Sequence, residues 1–176
     1  ELDWDLWLGP AKQRPFSSRY LPFSWRGWWD FGTGALGDMG CHLIDPVYRA
    51  LKLTTPTSVE ASATTVWSGE FKEADYPDSC PPSSIVKMDF PARGKMPACE
   101  LFWYDGGVRP MRPVELGANE PFGTWDGGVL LEGTKGKIMC GIFGEEATLL
   151  PTSKMKEFKK PKPTEPRYTA ASHQLV

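Results

Sequence analysis

The sequence contains no apolar run near the roughly 18 residues needed to cross a bilayer, so no membrane span is expected. It has no surplus of base. Lys and Arg total 20 against 22 Asp and Glu, a formal charge of -2, which leaves no electrostatic footprint for a nucleic acid. No basic amphipathic stretch points to a membrane surface. There is no Cys-x-x-Cys pair: Cys41, Cys80, Cys99 and Cys140 lack the spacing of a zinc knuckle or a thioredoxin-type motif. Free, mostly buried thiols are expected. No internal repeat is visible, and only two histidines occur, His42 and His173. The first residues, Glu1-Leu2-Asp3-Trp4, lack an initiator Met. That start is expected of a fragment or a processed chain, and it leaves cytoplasmic and periplasmic locations equally open.

Glycine, proline and tryptophan are plentiful. The 18 Gly and 17 Pro among 176 residues predict abundant loops and short elements. The length suits one domain with a sizeable core. Five of the eight tryptophans, Trp4, Trp7, Trp25, Trp28 and Trp29, fall within 1–31. That segment has poor periodicity and reads as an ordered aromatic loop with short helical turns. Residues 33–52 read as a helix, with Thr33 as N-cap and an apolar stripe of Leu36, Met39, Leu43, Val47 and Leu51. Pro46 is expected to kink or split it. From residue 56 to 150 the pattern becomes strand-like: Val59–Trp67, Ser84–Phe90, Ala98–Tyr104, Val129–Glu132, Lys137–Ile142 and Ala147–Leu150. Asp105-Gly106-Gly107 marks a turn, and Gly133-Thr134-Lys135-Gly136 a hairpin. The Lys- and Pro-rich stretch 151–176 is expected to form an extended surface tail. The fold class predicted is α+β, one domain over 1–176, with an open, mostly antiparallel β-sheet and helices on one face.

Gly32-Thr33-Gly34-Ala35-Leu36-Gly37 has the bare spacing of a dinucleotide fingerprint. An aromatic loop precedes it rather than a buried strand, and no βαβ unit surrounds it. It is expected to be a tight loop that enters the helix against close neighbours.

Asp38 and His42 stand one turn apart on the same helix face, and Asp45 falls near the same line. Three readings stay open. The face is solvated, with His42 satisfied by Asp38. Or the two form an acid/base pair, since an imidazole exchanges protons near neutrality and a carboxylate one turn away orients it or binds a substrate hydroxyl. Or they ligate a metal, although no second His and no Cys stands at ligand spacing.

The run Trp28-Trp29-Asp30-Phe31-Gly32-Thr33-Gly34-Ala35-Leu36-Gly37-Asp38-Met39-Gly40-Cys41-His42 resembles the Gfo/Idh/MocA oxidoreductases, which include glucose–fructose oxidoreductase and inositol dehydrogenase. Leu2-Asp3-Trp4-Asp5-Leu6-Trp7-Leu8-Gly9-Pro10 and Glu132-Gly133-Thr134-Lys135-Gly136 look like a bacterial branch of that family. The resemblance implies the C-terminal substrate domain of a sugar or polyol dehydrogenase. It implies NAD or NADP as cofactor, bound mainly by a Rossmann domain outside this chain, and a homo-oligomer formed through the sheet face. It implies His42 as the general acid/base and Asp38 as its polar partner. Tyr20, Trp25, Arg26 and Asp45 follow as candidate substrate-binding residues, because sugars stack their C–H faces on indoles and Arg26 can donate to hydroxyls. Packing is the competing role for the tryptophans, and His173 is expected to be a surface residue. Two other functions fit the same residues. One is a redox-neutral glycosidase or epimerase of the same fold, which keeps and recycles its nicotinamide. The other is a non-catalytic carbohydrate-binding or scaffold module.

Overall fold

A computed structural model describes residues 2–124 and 126–162. His173 and the end of the expected tail lie outside the described residues. The described residues are α+β, built from two α-helices and small antiparallel sheets. Among the described residues, no helix is long and apolar enough to cross a membrane.

The first helix, α1 (Trp4–Leu8), begins where the Asp3 carboxylate accepts the Leu6 amide at 3.1 Å, and it ends at Gly9 with φ of 54°. Trp4 and Trp7 share one face and stack at 5.0 Å. Phe16, Tyr20, Trp28 and Phe31 close around them with centroid separations of 4.8 to 5.6 Å. Each such pair contributes about 0.5–1.5 kcal/mol beyond its buried area. The expected aromatic segment is therefore a packed cluster with two short turns, α1 and a 3-10 helix at Ser24–Gly27.

The second helix, α2, is unbroken from Gly34 to Leu51. Of the kink or split expected at Pro46, the split does not occur. Pro46 leaves the His42 carbonyl without its usual amide donor. The loop 141–147 supports the helix there: a Cβ on Gly144 would lie 3.1 Å from the Pro46 side chain. The Thr33 cap is not made either. Its hydroxyl sits in the space that a side chain on Gly37 would fill. The helix stops at Lys52, which is left-handed (φ 50°), and Arg93 Nε donates to the Leu51 carbonyl at 2.7 Å. A cation there satisfies an end carbonyl and opposes the negative end of the helix dipole.

The apolar stripe of α2 faces the core. Val47, Leu53 and Phe90 are buried together, with Leu51, Met88, Cys99, Leu101, Val129 and Leu131 packed around them. Strands β1 (Ser58–Ala63), β4 (Ser84–Phe90) and β5 (Cys99–Tyr104) form one sheet in the order β1-β4-β5. Val86, Met88 and Phe90 alternate inward, while Lys87 and Asp89 face out. A hairpin of β2 (Trp67–Gly69) and β3 (Lys72–Glu73) stands apart. Strands β6 (Val129–Gly133), β7 (Gly136–Cys140) and β8 (Thr148–Leu150) form a third sheet, with β6 and β7 joined by the expected hairpin turn.

Antiparallel pairing is as expected, but the strands divide among three small sheets instead of one. The predicted strand Val59–Trp67 breaks at Ala63 because its partner begins there. Pro81 and Pro82 offer no amide, so β4 pairs only from Ser84. The expected tail begins as a 3-10 helix, Thr152–Lys156, held where the Leu149 amide meets Met155 Sδ at 3.3 Å. The four cysteines are free, but none is buried. Partial burial still pushes the Cys80 and Cys140 thiols up, which keeps them protonated at neutral pH.

Carboxylates tie the loops down. Lys87 bridges Asp89 and Glu100 across β4 and β5, and Lys137 bridges Glu115 and Glu132. Glu120 accepts the Thr152 hydroxyl and the Gly117 amide, which anchors the loop 105–128 to the second 3-10 helix. These bonds hold three carboxyls below their usual range: Asp89 chiefly through the Ser58 hydroxyl, Glu115 through its backbone and Lys137, and Glu120 through Thr152. A depressed carboxyl stabilises the fold at pH above the unfolded value, about 4, and that contribution fades as pH falls through the lower folded value. The melting temperature, followed by circular dichroism, should therefore hold near pH 6 and drop steadily below about pH 4. Glu120→Gln should melt lower at neutral pH and show a shallower acid decline.

Candidate functional site

Glycine turns bring the aromatic segment against α2. A Cβ at Gly32 would lie 2.5 Å from the Arg26 carbonyl oxygen and 2.6 Å from its Cα. Gly34 has φ of 67°, and a Cβ there would lie 3.1 Å from the Cys80 side chain. The expected tight loop is present, and the protein's own atoms fill the space left by its missing side chains. A pyrophosphate needs that same space for close backbone approach. The turn therefore does not fit a dinucleotide cradle.

This close approach delivers Arg26 to α2. Its Nε donates to Asp38 Oδ1 at 2.9 Å, with both side chains 31% exposed. The guanidinium lies over two rings, Phe23 at 4.2 Å and Trp25 at 4.4 Å. A planar guanidinium suits this double role, bonding in its plane and stacking on its faces.

His42 is exposed, one turn after Asp38. Its ring meets Phe143 edge to face, with centroids 5.3 Å apart and planes at 80°. Phe143 is carried by a turn in which its own amide donates to the Glu145 carboxylate at 2.8 Å. Neither acid of the helix hydrogen-bonds the imidazole among the described residues. Asp38 is held by Arg26, and Asp45 accepts from Arg49 Nε at 3.3 Å on the exposed side. Of the two roles expected of Asp38, orienting His42 or binding a substrate hydroxyl, this arrangement makes no bond for the first. A charged guanidinium presented from the neighbouring turn wins the carboxylate, and an aromatic contact sets the imidazole.

The other candidates separate. Tyr20 is 7% exposed and enclosed by Trp4, Trp28 and Phe31, so it packs where a substrate contact was expected. Trp25 lines an open cleft of about 350 Å³ with Trp7, Asp30 and Phe31. Arg14 braces that cleft: it pairs with Asp30, and its guanidinium lies 5.4 Å from the Phe31 centroid. Sequence reasoning missed Trp7, Arg14, Asp30 and Phe31 as a group. The pair Trp4-x-x-Trp7 and the acid just before the glycines were visible, but no periodicity connects positions so far apart. Among the described residues, no three His, Cys, Asp or Glu side chains gather at metal-binding distances.

Residues 1–73 match a family model described as oxidoreductase family, C-terminal alpha/beta domain, of the Gfo/Idh/MocA group. The matched span contains α1, the aromatic cluster, the glycine turn and α2. No curated protein matches the chain.

The closeness of Gly32 to Arg26 makes a direct forecast. Gly32→Ala forces backbone apart, since no flexible side chain is there to yield, and overpacking of this kind costs about 1–3 kcal/mol. Chemical denaturation should register a loss of that size. Gly27→Ala, which meets nothing within 4 Å, should cost less.

Proposed function

We propose that the chain, whose residues 1–73 match the model of the Gfo/Idh/MocA C-terminal domain, is the substrate side of an NAD(P)-dependent enzyme acting on a sugar or polyol. The observation behind this reading is His42. It is an exposed imidazole on the matched helix, one turn past a carboxylate, and no acid among the described residues hydrogen-bonds it. A ring nitrogen open to the surface can take a proton from a substrate hydroxyl and return it in the reverse direction.

Converting a carbinol to a carbonyl removes a proton from oxygen and a hydride from carbon. The nicotinamide, carried by a Rossmann domain in this reading, supplies the redox chemistry. The residues of this chain supply the rest. His42 moves the hydroxyl proton on a ring nitrogen. Asp38, with Oδ1 committed to Arg26, keeps Oδ2 to accept from a neighbouring hydroxyl and fix the sugar's orientation. Arg26 acts on Asp38 as a positioning residue.

Two measurements test this. In the intact enzyme, His42→Ala should lower kcat by about 10²–10⁴-fold with cofactor affinity and melting temperature nearly unchanged. Wild-type turnover with a lowered melting temperature would mean that His42 only packs against Phe143. Calorimetric titration of the 176-residue chain with NAD(H) or NADP(H) should show no micromolar binding, because the glycine turn is already filled.

A further inference from the structure

The geometry points to the cleft between α1 and the first 3-10 helix as a subsite that selects uncharged sugar rings over charged ones. The inference rests on the sugar reading above and narrows its substrate class. The volume, about 350 Å³, lies at the small end of the roughly 300–1,000 Å³ typical of small-molecule sites. It suits one ring laid against a wall.

The walls are aromatic and held from behind. Trp7 is stacked on Trp4 at 5.0 Å with an interplanar angle of 12°. Phe31 meets Trp7 edge-on at 4.8 Å, and Arg26 backs Trp25. Rings fixed in this way lose little freedom when a ligand stacks on them. The C–H bonds on one face of a pyranose carry slight positive charge and match the negative ring face of an indole. The Asp30 carboxylate on the same wall accepts hydroxyls.

Charge decides which sugars fit. Asp30, which lines the cleft, is already paired with Arg14, and Asp38 on α2 with Arg26. Arg14 stays protonated, because the Tyr20 hydroxyl and then the Asp30 carboxylate raise its pKa against the burial that lowers it. A uronate or a sugar phosphate has to displace a carboxylate from one of these guanidinium groups. An amino sugar meets the opposite obstacle. Guanidinium groups already cover faces of Trp25 and Phe31, and Arg14 neutralises Asp30. A neutral hexose displaces no ion pair on entry: it stacks a C–H face and hydrogen-bonds through its hydroxyls.

Saturation-transfer NMR on the 176-residue chain reads this without cofactor or turnover. The probes are methyl glucoside, glucosamine, glucuronate and glucose 6-phosphate. Methyl glucoside should bind in the millimolar range and the three charged sugars more weakly. Trp25→Ala should weaken methyl glucoside by about two- to tenfold, the size of one aromatic contact. Asp30→Asn keeps the shape of the wall and frees the Arg14 charge. It should raise glucuronate binding relative to methyl glucoside by about two- to fivefold, as expected for a partly exposed charge pair. Val114→Ala, at a 94% exposed position that does not line the cleft, should leave sugar binding unchanged. Equal binding of neutral and charged sugars, no binding of methyl glucoside, or an Asp30→Asn variant with unaltered preference would each overturn the inference. If no sugar binds but His42→Ala still stops turnover, the cleft fails and the oxidoreductase reading stands. If the cleft selects neutral sugars but His42 proves dispensable, the reverse holds.

Discussion

Arg26 holds the two halves of the site together. Its backbone lies against Gly32, its guanidinium stacks on Phe23 and Trp25, and its Nε reaches Asp38 on α2. None of these contacts is large alone. A partly exposed ion pair contributes at most about 1 kcal/mol, and an exposed cation–π contact about 0.5–1 kcal/mol. Their effect is geometric. One planar group satisfies an indole wall and a helix carboxylate at once, which leaves few arrangements of the aromatic segment relative to the helix. The glycine at position 32 is the condition for this, because any side chain there would meet the Arg26 backbone.

The helix α2 then links that site to the core. Its C-terminal half buries Val47 beside Leu53 and Phe90, while its N-terminal half carries Asp38 and His42 at the surface. Pro46 sits between the two functions. The loop after β7 packs Gly144 on Pro46 and sets Phe143 against His42. The third sheet therefore steadies the helix at its weakest point and positions the imidazole with the same turn. Arg93 fixes the far end by joining the Leu51 carbonyl to the Pro91 and Pro97 carbonyls of the β4–β5 connection.

Local signals carried much of this architecture. Periodicity marked α2 to within a residue at each end, because an apolar stripe opposite polar residues repeats with the helix itself. Alternation marked β4, whose inward Val86 and Phe90 are buried. The glycine spacing was readable as a packing turn because no strand preceded it. The misses share a cause. The break after Ala63, the turn at Thr152 and the intact helix at Pro46 each depend on a partner supplied from elsewhere in the chain. So does the burial of Tyr20, whose composition gives no hint of whether its ring faces a ligand or other rings.

The sequence by itself determined the α+β class, the helix bearing Asp38 and His42, and the likeness of residues 1–73 to a family model. These depend on residues close together in the chain, where repeat and spacing act directly on the backbone. Only the tertiary structure decided which group Asp38 bonds, what His42 rests on, and that Trp7, Trp25, Asp30 and Phe31 share a cleft. Hydrogen bonds and ring contacts act over a few ångströms in space and carry no imprint of sequence separation. A carboxylate four residues from a histidine was the near neighbour along the helix, yet a guanidinium twelve residues earlier reached it first.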